Sequence, residues 1–310
     1  MKHCNILNLF ISLYGRLRSY RGIPFFALTP LRRAVRYSGK LILPKYLNKS
    51  LRSEPEQHID VIVSFTSFPA RINDVWQVVE CMLRQTFQPK KVILWLSRDQ
   101  FPTTDSIPTS LTSRIGEIFE IRLVEGDLRS HKKYYYAAKE YPHSKIVLID
   151  DDLYYPTYML EELYLEHMKH PQDLISRYAF VIHYDDNGHC LPYRKWREVY
   201  GAREGNDVFF GSGGGTLFTP DMMYKDLLDE QLSRRLTPIA DDIWLNAMTR
   251  LGATHIRKIP STMILPIIGK GSKIKLSAQN VGQNKNDEQI KSIIDYYKRV
   301  CGVELFRNAF

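Results

Sequence analysis

Three consecutive carboxylates, Asp150, Asp151 and Asp152, close the apolar run Lys145-Ile-Val-Leu-Ile149 and precede Leu153-Tyr-Tyr-Pro156. Adjacent carboxylates repel one another and resist desolvation, so such a cluster persists where a hard cation neutralises it. In an extended segment Asp150 and Asp152 point to one side and Asp151 to the other. Asp150 and Asp152 are therefore the candidate ligands of a divalent ion, Mn2+ or Mg2+. An ion there can bridge the two phosphates of a nucleotide diphosphate and make it a better leaving group. An acidic turn that holds no ion is the alternative.

A second acidic pair, Asp241-Asp242, stands in Thr237-Pro-Ile-Ala-Asp-Asp-Ile-Trp-Leu245. Carboxylates are favoured where a helix opens, and capping alone would account for them. Beside the first cluster they have another use, because sugar transfer to a hydroxyl needs a general base and a positioned carboxylate can serve. Between the two lies Gly211-Ser-Gly-Gly-Gly-Thr216. Gly213, Gly214 and Gly215 allow close approach of a ligand, or simply a tight turn. The run is not the dinucleotide pattern, since Thr216 occupies the place of the final glycine. Trp196, Tyr200 and Trp244 could stack on sugar rings or pack in the core.

These residues need a scaffold, and the hydrophobic pattern supplies one. Ile59 to Phe65, Val92 to Leu96, Phe119 to Val124 and Lys145 to Ile149 read as buried strands. Helical segments separate them, one capped by Asn73 and another from His131 to Tyr141; Pro89 should break the chain before the second strand. Strands alternating with helices predict an α/β fold with a mostly parallel sheet, its ligand site at the carboxyl ends of the strands. Beyond residue 178 the pattern mixes. A strand at Ala179 to Tyr184 leads to the hairpin signal Asp186-Asn-Gly188. Helices are expected at Asp221 to Leu228, Asp241 to Leu251 and Asp287 to Val300, and Gly269 to Asn286 reads as a mobile polar stretch.

The chain has 310 residues and a net charge of +9. Residues 1–53 hold eleven Lys and Arg and no acid, which leaves 32 basic against 34 acidic residues elsewhere. So concentrated a charge argues against a nucleic-acid groove across the fold. The same segment has short apolar stretches, none near the ~20 residues of a membrane span, and no signal-peptide cleavage site. Basic and apolar residues together suggest contact with an anionic membrane surface, or an arm packed on the protein's own surface. Four dispersed cysteines fit reduced thiols in a cytoplasmic protein, peripheral on the inner face of the cytoplasmic membrane if that contact forms. The expected organisation is a basic extension at 1–56, a catalytic domain at 57–265 divided at residue 152 into nucleotide and acceptor halves, and a loop and helix at 266–310.

The order of strand-end DxD, glycine-rich loop and acidic pair before a helix resembles the GT-A fold glycosyltransferases. It is most similar to family-2-type bacterial enzymes of surface-polysaccharide (capsule) synthesis. Ser64-Phe-Thr-Ser-Phe-Pro-Ala-Arg-Ile72, Trp76 and Leu83-Arg-Gln-Thr86 resemble that family's opening, and the likeness spans roughly residues 58 to 255. It implies a GT-A-like twisted sheet flanked by helices and an inverting, metal-dependent hexosyltransferase. The donor would be a nucleotide sugar, UDP-linked, and the acceptor a saccharide or lipid-linked saccharide. It further implies Thr66 and Arg71 near the base and phosphates, Asp127 near base or ribose, and Lys132 or Lys133 on the phosphates. Asp150 and Asp151 would belong to the donor site, Asp152 would bind the ion, and Asp242, with Asp241 beside it, would be the base. The late histidine that many such enzymes give the metal has no counterpart, since none follows His255. The rivals are a haloacid-dehalogenase-type Mg2+-dependent phosphatase, against which Tyr154 stands where a small residue is expected, and a non-catalytic sugar-binding protein.

Overall fold

The computed structural model describes residues 5–20, 22, 24–261, 265–269 and 284–308. Two helices open it, α1 (Ile6–Ser19) and α2 (Thr29–Lys49). Then come β1 (Gln57–Thr66), α3 (Trp76–Met82), β2 (Phe87–Ser97), α4 (Thr109–Thr112), β3 (Phe119–Val124), α5 (Lys132–Glu140) and β4 (Lys145–Ile149). The second half contains β5 (Leu153–Tyr154), α6 (Met159–Lys169), β6 (Leu174–Ser176), β7 (Ala179–Val181), β8 (Arg197–Val199), β9 (Arg203–Glu204) and β10 (Val208–Phe210). It ends with β11 (Gly214–Phe218), α7 (Glu230–Leu236), α8 (Asp241–Leu251), β12 (Ile256–Lys258), β13 (Leu265–Pro266) and a terminal helix, Lys285–Cys301.

The fold is α/β, around an eight-stranded sheet in the order β3-β2-β1-β4-β11-β6-β12-β9. Strands β1 to β4 pair in parallel, β11 runs antiparallel between β4 and β6, and β12 is parallel to β6. The period-2 pleat explains why β1 carries the unbroken apolar run Val61-Ile-Val63. Val61, Val63 and Phe65 enter one core with Val147 and Ile149, whereas Ile62 joins Ile146 and Leu148 in a second core on the other face. Helix α5 covers the second face and α3 and α6 the first, so the carboxyl ends of β1 and β4 emerge between layers.

Some local expectations are corrected. Pro89 lies inside β2, opposite the register shift between Ile59 and Ile62, where a missing N–H is tolerated. Asn73 does not cap α3, which begins three residues later after a series of turns. The segment after Asp221 forms two 3-10 turns, Pro220–Met222 and Lys225–Leu228, rather than one helix. The hairpin signal does close a turn, with Tyr184 bridged to Cys190 and Gly188 at positive φ. Most of the polar stretch from Gly269 to Asn286 lies outside the described residues.

The basic N-terminal segment is neither loose nor merely superficial. Leu7, Ile11 and Tyr14 of α1 and Val35, Leu43 and Leu47 of α2 belong to the same core cluster as Val61 and Val147. Asn8 adds specificity: its amide donates to Thr157 Oγ1 at 2.9 Å, and its oxygen accepts from Thr157 N. Among the described residues no helix is long and apolar enough to cross a membrane. Because Leu43 is fully buried, Leu43→Ala should cost about 2–5 kcal/mol in urea unfolding, whereas Leu41→Ala, 65% exposed, should be nearly neutral. Equal, small effects at both positions would mean that α2 is not part of the core.

Candidate active site

Helix α5 begins over β1 because of a buried chain of hydrogen bonds. Trp95 Nε1 donates to Ser64 Oγ at 2.8 Å, and that hydroxyl donates to the carbonyl of Lys133. The pin leaves the Lys133 side chain buried, 5% exposed, and aimed at two carboxylates. Its Nζ lies 2.9 Å from Asp150 Oδ1 and 3.0 Å from Asp241 Oδ2. Burial opposes its charge, yet Asp150, Asp241 and Asp242 outweigh it and raise the lysine's pKa. One ammonium thus joins the end of β4 to the start of α8.

The turn after β4 divides its three carboxylates. Asp151 is buried, accepting from Ser67 Oγ at 2.5 Å and from Arg71 Nη1 at 2.7 Å. Residues 151 and 152 form a turn rather than extended strand, and Asp151 anchors Arg71 there. The same Arg71 nitrogen reaches Asp152 Oδ2 at 3.0 Å. Asp150 keeps 42% of its side chain exposed. Burial and the neighbouring carboxylates Asp150 and Asp151 push Asp152 up to about 7, despite Arg71. A site that crowds carboxylates until one tends to protonate fits a divalent cation, which relieves that repulsion directly. Among the described residues no group of three His, Cys, Asp or Glu converges as a closed cage would. The donor set suits an ion of the Mg2+ or Mn2+ kind, held by two carboxylates and completed by water and phosphate oxygens.

The glycine-rich run serves this geometry. A Cβ on Gly213 would lie 1.8 Å from Asp150 Oδ2, so only glycine leaves room for that carboxylate. Tyr155 ties the two segments together: its hydroxyl accepts from Asp150 N at 2.8 Å and donates to the Gly213 carbonyl. Gly214 and Gly215 begin β11 and are buried; a Cβ on Gly214 would meet Tyr178 at 2.2 Å, and Gly215 has φ +98. Ser212 sits between the acids of the second pair. Its Oγ lies 2.9 Å from Asp241 Oδ2 and 2.5 Å from Asp242 Oδ1, and its backbone N–H donates to Asp242 Oδ1 at 2.8 Å.

The two members of that pair differ in charge state. Burial works against ionising Asp241, but Lys133 and His131 overcome it and hold Asp241 below the usual carboxylate range. Burial, with Asp241 next door, pushes Asp242 up to about 6. Two adjacent carboxyls pulled apart in this way mark one as a charge partner and the other as a group able to take up a proton near neutrality.

Other expected residues fall elsewhere. Lys132 is buried but turned to Asp127, which also accepts from Gln100 Nε2 at 2.9 Å and from Arg129 N at 2.8 Å. Of the two lysines, Lys133 alone meets the acidic clusters. The hydroxyl of Thr66, at the end of β1, donates to the Trp95 carbonyl at 2.7 Å. Trp244 is fully buried, its Nε1 donating to the Leu227 carbonyl at 3.1 Å, so it offers no face to a sugar. Its position on α8 packs it into the core with Leu227 and Leu245. Ser67, Tyr155 and Ser212 were not singled out; only their places beside the acidic and glycine runs signalled them.

No family model and no curated protein matches the chain. Similar solved structures include HddC from Yersinia pseudotuberculosis, 15% identical over 55% of this chain and 79% of that one, with a TM-score of 0.35. Another is UDP-glucose pyrophosphorylase complexed with UDP-glucose, 12% identical over 78% of this chain and 99% of that one, with a TM-score of 0.39. Likenesses this distant carry no argument about chemistry, which rests on the site itself.

Two outcomes follow from the crowding around Asp150. Gly213→Ala should weaken Mn2+ binding, read by electron paramagnetic resonance, at least tenfold while the fold persists, whereas Gly201→Ala, with open space around its Cβ, should change nothing. Unchanged Mn2+ affinity in Gly213→Ala would remove Asp150 from the metal site. Asp152 also carries a pH signature. Its folded pKa is raised above the unfolded value of about 3.9, so its contribution to stability is lost as pH rises towards 7. Without metal, Asp152→Asn should therefore melt higher than the parent, by a margin that widens between about pH 4 and pH 7 and levels off above it. A constant or shrinking margin would contradict the raised pKa.

Proposed function

We propose that the chain is a metal-dependent glycosyltransferase, moving a sugar from a nucleotide diphosphate donor, UDP-linked, to a hydroxyl of a saccharide or lipid-linked saccharide acceptor. The observation that carries this reading is the convergence of Asp150 and Asp241 on Lys133. It sets a cation-binding turn and a carboxyl with a pKa near 6 on either side of one ammonium. A site for leaving-group charge beside a proton acceptor is what glycosyl transfer requires.

In this reading the donor lies across the carboxyl ends of β1 to β4. Its nucleoside is directed towards Thr66 and Asp127 and its diphosphate towards Asp150 and Asp152. A bound Mn2+ or Mg2+ would offset the charge that develops on the diphosphate as it leaves. Arg71, fixed by Asp151, holds Asp152 in place, and Lys133 fixes the separation of donor turn and base. Asp242 accepts the proton of the acceptor hydroxyl, whose oxygen bonds to the anomeric carbon on the face opposite the diphosphate. The carbon–oxygen bond to phosphate breaks, its electron pair leaves with the nucleotide, and the configuration inverts. In the same reading the catalytic domain divides at residue 152 into a nucleotide half and an acceptor half. A dehalogenase-type phosphatase would use Asp150 as nucleophile, but here that carboxylate stands after the fourth strand and is paired to Lys133.

Asp242→Asn should leave UDP-sugar affinity almost unchanged and slow transfer roughly 10²- to 10⁴-fold. Asp241→Asn removes one partner of a buried ion pair, which typically costs about 3–5 kcal/mol, so it should lower the melting temperature as well as the rate. In the parent, kcat should fall as pH drops through about 6, where Asp242 takes up its proton. The assay is UDP release from a donor sugar, alongside phosphate release from a monoester. Transfer by Asp242→Asn at the parental rate would move the base elsewhere. Monoester hydrolysis without use of any nucleotide sugar would overturn the transferase.

A further inference from the structure

Among the described residues, exposed large apolar side chains concentrate in the first 51 positions. On α1 the exposed Ile6, Leu9 and Leu13 recur at helical spacing, on the side opposite the buried Leu7, Ile11 and Tyr14. On α2 Tyr37 and Leu41, four residues apart, lie on the side opposite the buried Val35, Leu43 and Leu47. Both helices are therefore apolar on two faces, and only one of those faces is used by the core.

The two outer faces are continuous. A shallow depression of about 520 Å³ joins them, walled by Ile6 of α1 and by Leu41, Ile42 and Tyr46 of α2, with Lys45 and Lys49 beside it. Exposed Arg33 and Lys40 flank the apolar stripe of α2 on its other side. Residues 1–53 contain eleven Lys and Arg and no acid. A second copy docked face to face would set this charge against itself, and an aqueous environment gains nothing from the apolar stripe. An anionic bilayer satisfies both features, since its headgroups attract the basic flanks and its acyl boundary accepts the leucines.

We propose that the outer face of the α1–α2 hairpin docks on an anionic lipid surface, with Leu9, Leu13 and Leu41 entering the interface and Lys45 and Lys49 pairing with headgroups. The attachment is mechanically connected to the rest of the molecule: Arg18, in the last turn of α1, pairs with Glu198 of β8. Docking thus holds the half of the fold assigned to the acceptor near the bilayer, as a lipid-linked acceptor needs. The docking claim itself does not rest on the transferase reading, because lipid binding and UDP release in solution are read separately.

The test is flotation of the full chain with vesicles of phosphatidylcholine alone and of phosphatidylcholine with phosphatidylglycerol, at low and high salt. Binding should require phosphatidylglycerol and weaken as salt rises. Leu9→Asp with Leu13→Asp, and separately Lys45→Glu with Lys49→Glu, should each reduce binding ~10-fold or more without changing the melting temperature or UDP-sugar affinity. Should the aspartate pair disturb folding, the glutamate pair, at exposed positions, carries the test. Absent binding, equal binding to both vesicle types, or binding unaffected by the substitutions would overturn the proposal. A dimer in solution that Leu9→Asp dissociates would assign the face to a second copy and overturn it equally.

Discussion

Removing the Lys133 ammonium from water costs on the order of several kcal/mol unless opposite charge and hydrogen bonds replace the lost hydration. Asp150 and Asp241 do so at 2.9 and 3.0 Å, from elements ninety residues of sequence apart. Buried Asp241 is held ionised by the lysine, and the lysine could not be buried without carboxylates beside it. The end of β4, the first turn of α5 and the start of α8 are therefore placed by one mutual requirement. The Trp95–Ser64–Lys133 chain adds the directional part, because it sets how α5 sits on β1 before any charge is considered.

From that constraint the other assignments follow by exclusion. Lys133 uses its donors on Asp150 and Asp241, so Asp242 is left with Ser212 and the unfavourable company of Asp241, and its proton affinity rises. Arg71 is committed to Asp151 and shares one nitrogen with Asp152, so the turn keeps more negative charge than its cations balance. In the proposed reading the two acidic runs divide the work while sharing one lysine, the first holding a cation and the second taking a proton.

Much of the frame was legible because it follows from periodicity. The apolar runs Val61 to Val63, Val92 to Leu96 and Ile146 to Ile149 reflect burial on both faces of the sheet, and the alternation of strand and helix implied parallel order. The acidic triplet was legible as a cluster at a strand end, but its inner arrangement was not: the chain turns there, and Asp151 and Asp152 share one Arg71 nitrogen. What escaped the sequence depended on pairing across distance. Nothing in Lys132-Lys133 says which lysine turns to Asp127 and which to the acids; the pitch of α5 over β1 decides it. Trp244 could be sugar platform or core until the orientation of α8 was known. Glycines read as ligand-facing prove to make room for Asp150 and Tyr178, side chains of the protein itself. The N-terminal charge disguised two amphipathic helices whose inner faces complete the main core.

In the proposed reading the turn from Asp150 to Asp152 is short of positive charge, and a nucleotide diphosphate binds there only together with its cation. Isothermal calorimetry of UDP binding to the full chain, with Mn2+ and then with EDTA, tests this most directly. The account predicts strong binding with Mn2+, lost in EDTA and lost in Asp152→Asn under both conditions. Equal affinity with and without the metal in the parent protein would contradict it.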